Sequence, residues 1–211
     1  MSSSRRRIYA IDGVRPVVDP TAFVHPDAIL IGDVRVGPGC YVAPGASLRG
    51  DFARIILEKG CNVQDNCTLH CLPGVDLIIG PDGHIGHGAI IHSAQIGSNA
   101  MVGMNSVIMD RAIVGESAIV AAMTFVATGV EIPARHLVMG IPARIVRQLT
   151  PAELASKIEA TGQYHQLTRR SLETHAAVEP LTEIEPDRRR VAEGVSMPLR
   201  DIARRKRGKT R

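Results

Sequence analysis

The chain has 211 residues, of which 45% are hydrophobic and 3% aromatic, with no Trp and a formal net charge of +4. This length suits one sizeable domain with an appendage. No stretch is long and apolar enough to span a bilayer, which excludes an integral membrane protein with spanning helices. Residues 1–7 carry serines and arginines without the hydrophobic run of a secretory signal, so we expect a cytoplasmic protein.

After an N-terminal segment of residues 1–17, residues 18–146 place an apolar residue at nearly every sixth position. An amphipathic helix or a simple alternating strand would not produce this spacing, and a β-sandwich would need turn signals roughly every 8–12 residues. A short-period solenoid explains it. The repeated positions are Val24, Leu30, Val36, Val42, Leu48, Leu57, Val63, Leu69, Ile79, Ile85, Ile91, Ile96, Val102, Ile108, Val114, Val120, Val126, Ile132 and Val138.

Small and turn-forming residues follow these positions, as at Gly37, Pro38, Gly86 and Gly103. Such residues let the chain turn after a very short strand without a steric penalty from Cβ. Each hexad therefore predicts one short strand and one corner, and three hexads predict one triangular coil of an all-β solenoid. The aliphatic side chains stack from coil to coil, because one coil cannot bury its own apolar face.

Cys40, Cys61 and Cys67 occupy the fifth place of a hexad, which holds Ala, Ser or Thr in other repeats. This position predicts small packing residues. Cys71 lies outside this register, beside His70, so a zinc site of Cys67, His70 and Cys71 is the alternative on ligand chemistry. The repeat position favours packing, and disulfides are not expected in a reducing cytoplasm.

The same repeat predicts where two of the histidines lie. Leu69 and Ile91 are three repeats apart if residues 71–76 leave the coil as a loop, which places them on one face in successive coils. His70 and His92 each follow by one position. They should therefore stack at about the spacing of adjacent strands, roughly 5 Å, where two imidazoles can share one metal.

His87 follows Ile85 by two positions and belongs to a neighbouring face of the triangle. It is therefore badly placed to join His70 and His92 within one chain. Threefold packing of solenoids would bring the His87 face of one chain against the His70 and His92 face of another. The geometry predicts a metal site shared between subunits, and closed symmetry then gives a homotrimer with three equivalent sites.

The spacing of His70, His87 and His92 resembles the γ-class carbonic anhydrases, which are left-handed parallel β-helices of hexapeptide repeats. The resemblance implies the left-handed sense of the solenoid, and it implies that these histidines are zinc-type ligands, two from one subunit and one from its neighbour. Imidazole also suits iron and cobalt, so Zn²⁺ is expected with Fe²⁺ or Co²⁺ as alternatives. Further residues that match the family pocket are Arg49, Asp51, Asn62, Gln64 and Asp65.

By this resemblance Arg49 and Asp51 pair across the subunit interface, with a structural ion pair as the alternative interpretation. Asn62, Gln64 and Asp65 belong to the next motif, in which Gln64 orients the metal-bound water and Asp65 makes an interface contact. Repeat counting also places Arg49 in the column of His70 and His92. The remaining histidines are interpreted as solvated surface residues, namely His25, His84, His136, His165 and His175.

Two features differ from the best-studied carbonic anhydrases. Those proteins carry a glutamate directly after the residue that matches Asp51, and a long acidic loop after the first histidine. Here these places hold Phe52 and the short, neutral residues 71–75. Fast CO₂ hydration needs a proton carried to solvent on every turnover, so the chain lacks an obvious proton shuttle.

The six-residue period ends at residues 140–144, a Gly-Ile-Pro-Ala-Arg sequence that resembles the closing turn of the family. For residues 147–177 we predict a C-terminal α-helix packed along the solenoid, as the resemblance implies. It begins at about Pro151 with a capping box of Thr150 and Glu153. Its predicted inward positions include Leu154, Ile158, His165 and Leu172.

From about Ile8 to Val191 the chain resembles a narrower subgroup, the phenylacetic acid degradation Y-type and carnitine-operon E-type proteins. The segments that carry this resemblance are residues 11–13, 30–34, 47–52, 64–67, 82–87 and 178–186. Residues 178–211 are predicted to form an extended tail that is strongly basic from 200 to 211. Nucleic-acid binding is one interpretation of that charge, but a solubilising end without interleaved aromatic residues is favoured.

The resemblance implies a metal-dependent thioesterase that hydrolyses CoA thioesters in phenylacetate-type aromatic acid catabolism, using a metal-bound hydroxide at a subunit interface. A γ-class carbonic anhydrase is the alternative, because the three-histidine set is complete. A CoA-dependent acyltransferase and a non-catalytic accessory protein are less favoured. The expected substrate is therefore a small molecule, either an acyl-CoA or CO₂ and bicarbonate.

Overall fold

The structure is a computed structural model that describes residues 7–191. Within that range a series of short strands precedes one α-helix. In chain order these elements are β1 (Arg7–Tyr9), β2 (Val17–Val18), β3 (Phe23–Val24), β4 (Ile29–Val36), β5 (Tyr41–Val42), β6 (Ser47–Leu57), β7 (Asn62–Val63), β8 (Thr68–His70), β9 (Leu77–Ile79), β10 (His84–Ile85), β11 (Ile90–His92), β12 (Gln95–Ile96), β13 (Met101–Val102), β14 (Val107–Ile108), β15 (Ile113–Val114), β16 (Ile119–Val120), β17 (Phe125–Val126), β18 (Glu131–Ile132), β19 (His136–Met139), β20 (Arg144–Gln148) and α1 (Pro151–Thr174).

The strands form the three faces of a left-handed parallel β-helix. The β10 face consists of β3, β5, β7, β10, β13, β16 and β19, with β20 added antiparallel. The long strands β4 and β6 pair with each other and each contributes to both of the other two faces. Beyond β4, the strand β6 continues these faces. Its first half pairs with the β8 face (β8, β11, β14 and β17), and its second half pairs with the β9 face (β9, β12, β15 and β18). The predicted solenoid with a C-terminal helix is confirmed.

The aliphatic repeat forms the core of this solenoid. On the β8 face Leu48, Leu69, Ile91, Ile108 and Val126 pair in register from coil to coil and are fully buried. Burying a side chain of this size stabilises a fold by roughly 1.5–3 kcal/mol. Because each coil covers its neighbours, the stack as a whole supplies the stability.

The corner between the β10 face and the β8 face shows why Gly and Asn recur after the strands. Gly45, Asn66, Gly88 and Asn105 have φ values of 70°, 58°, 69° and 55°, in the left-handed region that Gly and Asn adopt most readily. A Cβ on Gly88 would overlap Asn105 Oδ1. The backbone beside His87 is therefore held in a tight turn.

Helix α1 begins with the predicted capping box. Thr150 Oγ1 accepts a hydrogen bond from the Glu153 N–H (3.3 Å), and Glu153 Oε2 accepts one from the Thr150 N–H (2.8 Å). The helix then runs back along the solenoid toward its first coils, where the Thr168 hydroxyl donates to Gly39 O at 3.4 Å.

The face of α1 that meets the solenoid is polar, so the predicted inward positions Ile158 and Leu172 are wrong. His165 does face the solenoid as predicted, with its Nε2 3.2 Å from Gly60 O and 3.1 Å from Asp82 Oδ1. Ile158 and Leu172 are 59% and 47% exposed, Leu154 and His165 are only half-buried, and the buried helix residues are Glu153, Lys157, Thr161 and Thr168. The surface beneath α1 is a corner column of backbone carbonyls and amide side chains. Lys157 Nζ donates there to Asp82 O (2.8 Å) and Asn99 Oδ1 (2.7 Å), which an apolar side chain could not do.

The ends of the described region differ from one another. Strands β1 and β2 pair with β4 and so extend the sheet at the first coils, whereas residues 176–191 are exposed and contain no helix or strand. The basic run of residues 200–211 lies outside the described residues. Between residues 7 and 191, no helix has both the length and the apolar character needed to cross a membrane.

Candidate metal centre

His70 ends β8 and His92 ends β11, and the two residues pair in register one coil apart. Their ring centroids are 5.1 Å apart, and His70 Nδ1 lies 3.1 Å from His92 Nε2. The predicted vertical pair is confirmed. Two imidazole nitrogens on one tetrahedral metal, each about 2.0–2.1 Å from it, lie roughly 3.3 Å apart. The pair therefore fits two ligand positions of such a metal.

In each ring the near nitrogen is the one that faces the other histidine, and the far nitrogen is the one that points away from it. The far nitrogen of each ring faces a carboxylate. Asp51 Oδ1 lies 2.9 Å from His70 Nε2, and Asp110 Oδ1 lies 2.5 Å from His92 Nδ1. A carboxylate in this position holds the proton on the far nitrogen and leaves the near nitrogen free to bind a metal. Asp110 was not predicted from the sequence. Ile91 pairs with Ile108, so repeat counting aligns His92 with Met109, and Asp110 lies one residue further on, at the turn after β14.

Arg49 and Asp51 form an ion pair within the chain, in which Arg49 Nη1 donates to Asp51 Oδ2 at 2.5 Å. Arg49 pairs with His70 in register, as repeat counting predicts. Burial opposes ionisation of Asp51, but hydrogen bonds from Arg49 and His70 outweigh it and lower the pKa of that carboxyl. A role of this pair across a subunit interface stays a prediction.

His87 lies on the corner after β10, on a different face from the stacked pair, as repeat counting predicts. Its exposed ring has Nδ1 2.7 Å from Asp65 Oδ2. Within residues 7–191 of one chain, no three His, Cys, Asp or Glu side chains form a group that could hold a metal. Completion of the site by a second chain stays a prediction.

Gln64 and Asn62 lie beside His87. Gln64 Oε1 accepts a hydrogen bond from the His87 N–H (3.2 Å), and Gln64 Nε2 donates to Asn62 Oδ1 (3.0 Å). Gln64 Nε2 also lies 2.6 Å from His84 Nε2. The pocket residues implied by the resemblance are thus divided between two places in the chain. Arg49 and Asp51 accompany His70, whereas Asn62, Gln64 and Asp65 accompany His87.

His84 is not the solvated surface residue that its sequence position suggests. Its ring meets Gln64 on one side and the ring of Tyr164 in α1 on the other, with ring centroids 5.2 Å apart. Burial, followed by the charges of Lys157 and His87, lowers the pKa of His84 to about 3. The repeat could not reveal this contact, because it depends on where α1 packs.

The four cysteines are buried and free, which confirms that they are packing residues. Cys67 Sγ donates to Gly86 O at 3.1 Å, and Cys71 Sγ donates to Arg54 O at 3.5 Å. Both thiols therefore point at backbone carbonyls inside the solenoid. The alternative zinc site of Cys67, His70 and Cys71 is not formed.

Phe52 makes the surface beside His70 apolar. Its ring is 57% exposed, with its centroid 5.4 Å from that of His70. The Gly74 N–H donates to Phe52 O at 3.4 Å, so the short loop of residues 71–76 folds next to this ring. An aromatic side chain thus stands where the carbonic anhydrase resemblance would place a glutamate.

Known proteins are similar to this chain along most of its length. The carnitine operon protein CaiE of Salmonella newport (strain SL254) is 52% identical over 183 residues, which cover 87% of this chain and 92% of the relative. The chain belongs to the CaiE family of hexapeptide-repeat proteins. The family described as bacterial transferase hexapeptide (six repeats) also matches residues 93–128. The expected resemblance to the carnitine-operon E-type proteins is confirmed.

Two solved structures share the fold of this CaiE-family chain. The BC4754 gene product of Bacillus cereus has a TM-score of 0.78 and 34% identity, and the likeness covers 79% of this chain and 96% of that one. A hexapeptide transferase family protein from Anaplasma phagocytophilum has a TM-score of 0.75 and 36% identity, covering 78% of this chain and 98% of that one.

Proposed function

We propose that this CaiE-family protein is a homotrimeric, metal-dependent hydrolase of CoA thioesters, with aromatic acids as the acyl groups. One observation carries the proposal: two imidazole nitrogens converge at 3.1 Å, and each ring is backed by a carboxylate. The ligands would be His70 and His92 with His87 of the partner subunit. Zn²⁺ is the preferred metal, with Fe²⁺ or Co²⁺ as alternatives.

The residues around the pair prepare it for a metal. A divalent metal held by three neutral imidazoles lowers the pKa of a bound water to about 7 and so supplies hydroxide at neutral pH. Asp51 and Asp110 orient the two rings and keep their protons on the far nitrogens. Arg49 keeps Asp51 ionised. The two ligands of one chain are therefore arranged before metal or substrate binds.

Gln64 is suited to accept a hydrogen bond from the attacking water. Its two N–H groups face Asn62 and His84, and one lone pair of Oε1 accepts the His87 N–H. An amide oxygen has two lone pairs, so the second can accept a water proton and orient that water. Because Gln64 is bonded to the His87 backbone, it would enter the shared site together with His87.

The apolar surface beside His70 favours an acyl thioester over CO₂. Phe52 presents an exposed ring there, and the neighbouring loop contains Leu72, Pro73 and Val75. Such a surface can bind an aromatic or aliphatic acyl group through apolar contact. Fast CO₂ hydration would instead need a side chain that carries protons to solvent.

A CoA-dependent acyltransferase is the second candidate, because residues 93–128 match a transferase family. This candidate predicts activity that survives removal of the metal. A γ-class carbonic anhydrase, favoured by the histidine pair, predicts metal-dependent CO₂ hydration. A non-catalytic accessory protein predicts a trimer that depends on the metal and shows no turnover.

One metal-quantified sample, purified without oxygen, tests these candidates together. We expect the mass of a trimer, CoA release from aromatic acyl-CoA thioesters that stops after chelation and returns with added metal, and CO₂ hydration at background level. His70→Ala and His92→Ala should be inactive. His136→Ala is the control, because His136 lies on β19 of the β10 face, where its Nδ1 is 2.8 Å from Ala134 O. CoA release that survives chelation or His92→Ala would contradict the proposal.

A further inference from the structure

His84 connects helix α1 to the residues that accompany His87. It begins β10, one coil after Asn62, and its Nε2 lies 2.6 Å from Gln64 Nε2. On the opposite side its ring packs edge-on against Tyr164 of α1, with centroids 5.2 Å apart and an interplanar angle of 87°. His84 therefore lies between the helix and one half of the candidate site.

A backbone group determines the direction of the hydrogen bonds in this cluster. The His87 N–H can only donate, so it places Gln64 Oε1 on its own side. Gln64 Nε2 must then face Asn62 Oδ1 and His84 Nε2, and it donates to both. His84 Nε2 is therefore the acceptor, which assigns a neutral imidazole with its proton on Nδ1. The remaining contact, from His84 Nδ1 to Asn62 Nδ2 at 3.3 Å, joins two donors and adds no hydrogen bond.

The environment of His84 agrees with a neutral ring. Burial is the largest cause, and the charge of Lys157 adds to it, so that the pKa of His84 falls to about 3. A protonated ring would present a second donor to Gln64 Nε2 and break the only hydrogen bond that links the two side chains. The ring consequently stays an acceptor throughout the neutral range.

Helix α1 also holds the backbone that leads into His84. Lys157 Nζ donates to Asp82 O, two residues before His84, and to Asn99 Oδ1 one coil further on. His165 Nε2 lies 3.1 Å from Asp82 Oδ1. The start of β10 is thus held by α1 through polar contacts as well as through the ring contact.

We propose that His84 is a positioning residue, which holds the Gln64 amide so that its oxygen faces His87, and that α1 serves the candidate site by holding His84 in place. The activity part of this inference rests on the proposed function, because Gln64 and His87 affect turnover only if they enter the shared site. In this proposal helix α1 does more than cover the solenoid, because it helps to align Gln64 and His87 for a site shared with the partner subunit.

His84→Phe removes the acceptor and keeps a ring of similar size against Tyr164. We expect kcat to fall about 10-fold or more with KM nearly unchanged, and metal affinity, measured by competition with a chelator, to weaken about 10- to 100-fold. His84→Gln supplies an amide oxygen as a new acceptor and should recover part of both losses. Ile85→Val, a buried change at the next residue, controls for lost stability and should retain wild-type kcat and metal affinity.

A double-mutant cycle distinguishes positioning from general destabilisation. If His84 acts through Gln64, then Gln64→Leu alone and Gln64→Leu combined with His84→Phe should show the same kcat and metal affinity, because the second change removes a partner that is already lost. Losses that multiply would overturn the proposal. Wild-type kcat and affinity in His84→Phe would overturn it as well.

A third measurement needs neither substrate nor metal. In protein labelled with ¹⁵N-glutamine, the side-chain amide protons of Gln64 should exchange slowly with solvent in the wild type and faster in His84→Phe. A wild type without thioesterase activity would remove the proposed function, whereas fast Gln64 exchange in the wild type would overturn the role of His84. If His84→Phe does not fold, Tyr164→Leu replaces it, with faster Gln64 exchange expected and unchanged exchange counting against the proposal.

Discussion

The β8 face and the β10 face are both built from short parallel strands, but their polar side chains have different hydrogen-bond partners. On the β10 face Gln64, Asn62 and His84 bond to one another beneath α1. On the β8 face the near nitrogens of His70 and His92 face each other, carboxylates hold the far nitrogens, and the Phe52 ring packs beside His70. The polar side chains of the β10 face thus bond to one another within the chain, whereas for the histidine pair of the β8 face we propose a metal.

The solenoid explains why the two sets of residues cannot meet in one chain. Side chains on different faces are separated by the aliphatic core, and short strands hold each side chain on its own face. A composite site made from both faces therefore requires two chains. Identical chains around a threefold axis would supply both halves at every interface, which is why we propose a trimer.

The largest expected effect comes from breaking the pair on the β8 face. His92→Ala removes one of the two converging nitrogens and leaves Asp110 without its partner. Loss of a residue that only orients a metal ligand weakens metal affinity about 10- to 100-fold. We therefore expect loss of the ligand itself to lower metal affinity more than about 100-fold and to abolish CoA release. Chelator competition measures this, with His136→Ala as the control. Wild-type affinity in His92→Ala would show that the pair does not bind the metal.

The carboxylate behind that pair should have the next largest effect. Asp110→Asn keeps the shape of the side chain but removes the charge that holds the proton on His92 Nδ1. We expect metal affinity or kcat to fall about 10- to 100-fold. Asp12→Asn removes the same charge at an exposed turn and is the matched control. Equal metal affinity and kcat in the two variants would mean that Asp110 does not support the site.

The ion pair between Arg147 and Glu153 at the start of α1 allows a test of how the helix is held against the solenoid. Hydrogen bonds from Arg147 are the main cause that lowers the pKa of Glu153 from 4.5 to about 2. Because the folded pKa lies below the unfolded value, this carboxylate stabilises the fold above about pH 4.5, and its contribution is lost as the pH falls toward 2. Glu153→Gln should lower the free energy of unfolding by on the order of 2 kcal/mol near neutral pH, and by much less near pH 2.

Thermal unfolding of both proteins across this pH range measures the effect of Glu153. Glu173→Gln, an exposed change in the same helix, should not alter stability at any pH in the range. A loss that is the same at acidic and neutral pH would show that the Glu153 charge does not anchor α1.

The smallest expected effect concerns substrate choice on the β8 face. Phe52→Ala removes the exposed ring beside His70. We expect kcat/KM for an aromatic acyl-CoA to fall about 10-fold relative to acetyl-CoA, the discrimination that modest apolar contact supplies. Val17→Ala, another exposed apolar residue but on the first coils, should leave this ratio unchanged. An unchanged ratio in Phe52→Ala would place the acyl group elsewhere.

Much of the fold and half of the candidate site were predictable from the repeat. Leu69 and Ile91 are three repeats apart, so His70 and His92 had to stack once the chain formed triangular coils. Asp110 was not open to the same prediction, because Ile91 pairs with Ile108 and the position aligned with His92 is therefore Met109. A solenoid converts sequence spacing into position because each coil repeats the geometry of the previous one.

Helix α1 could not be predicted with the same accuracy. Its capping box was evident from Thr150 and Glu153, because capping depends on neighbouring residues. Its buried face was not evident. Ile158 and Leu172 suggested apolar packing, but the carbonyl and amide oxygens along the solenoid corner accept hydrogen bonds from Lys157 instead. Packing between distant segments depends on both surfaces, and the helix sequence records only one of them.

Residue spacing alone therefore determined the coil, the core columns and the vertical histidine pair, because each follows from a local geometry repeated without change. The tertiary structure alone decided that α1 binds through polar residues and that His84 packs between Gln64 and Tyr164. Those contacts join segments far apart in the chain. Their free energy depends on which donors and acceptors remain unpaired after the solenoid has formed, and no short-range pattern contains that information.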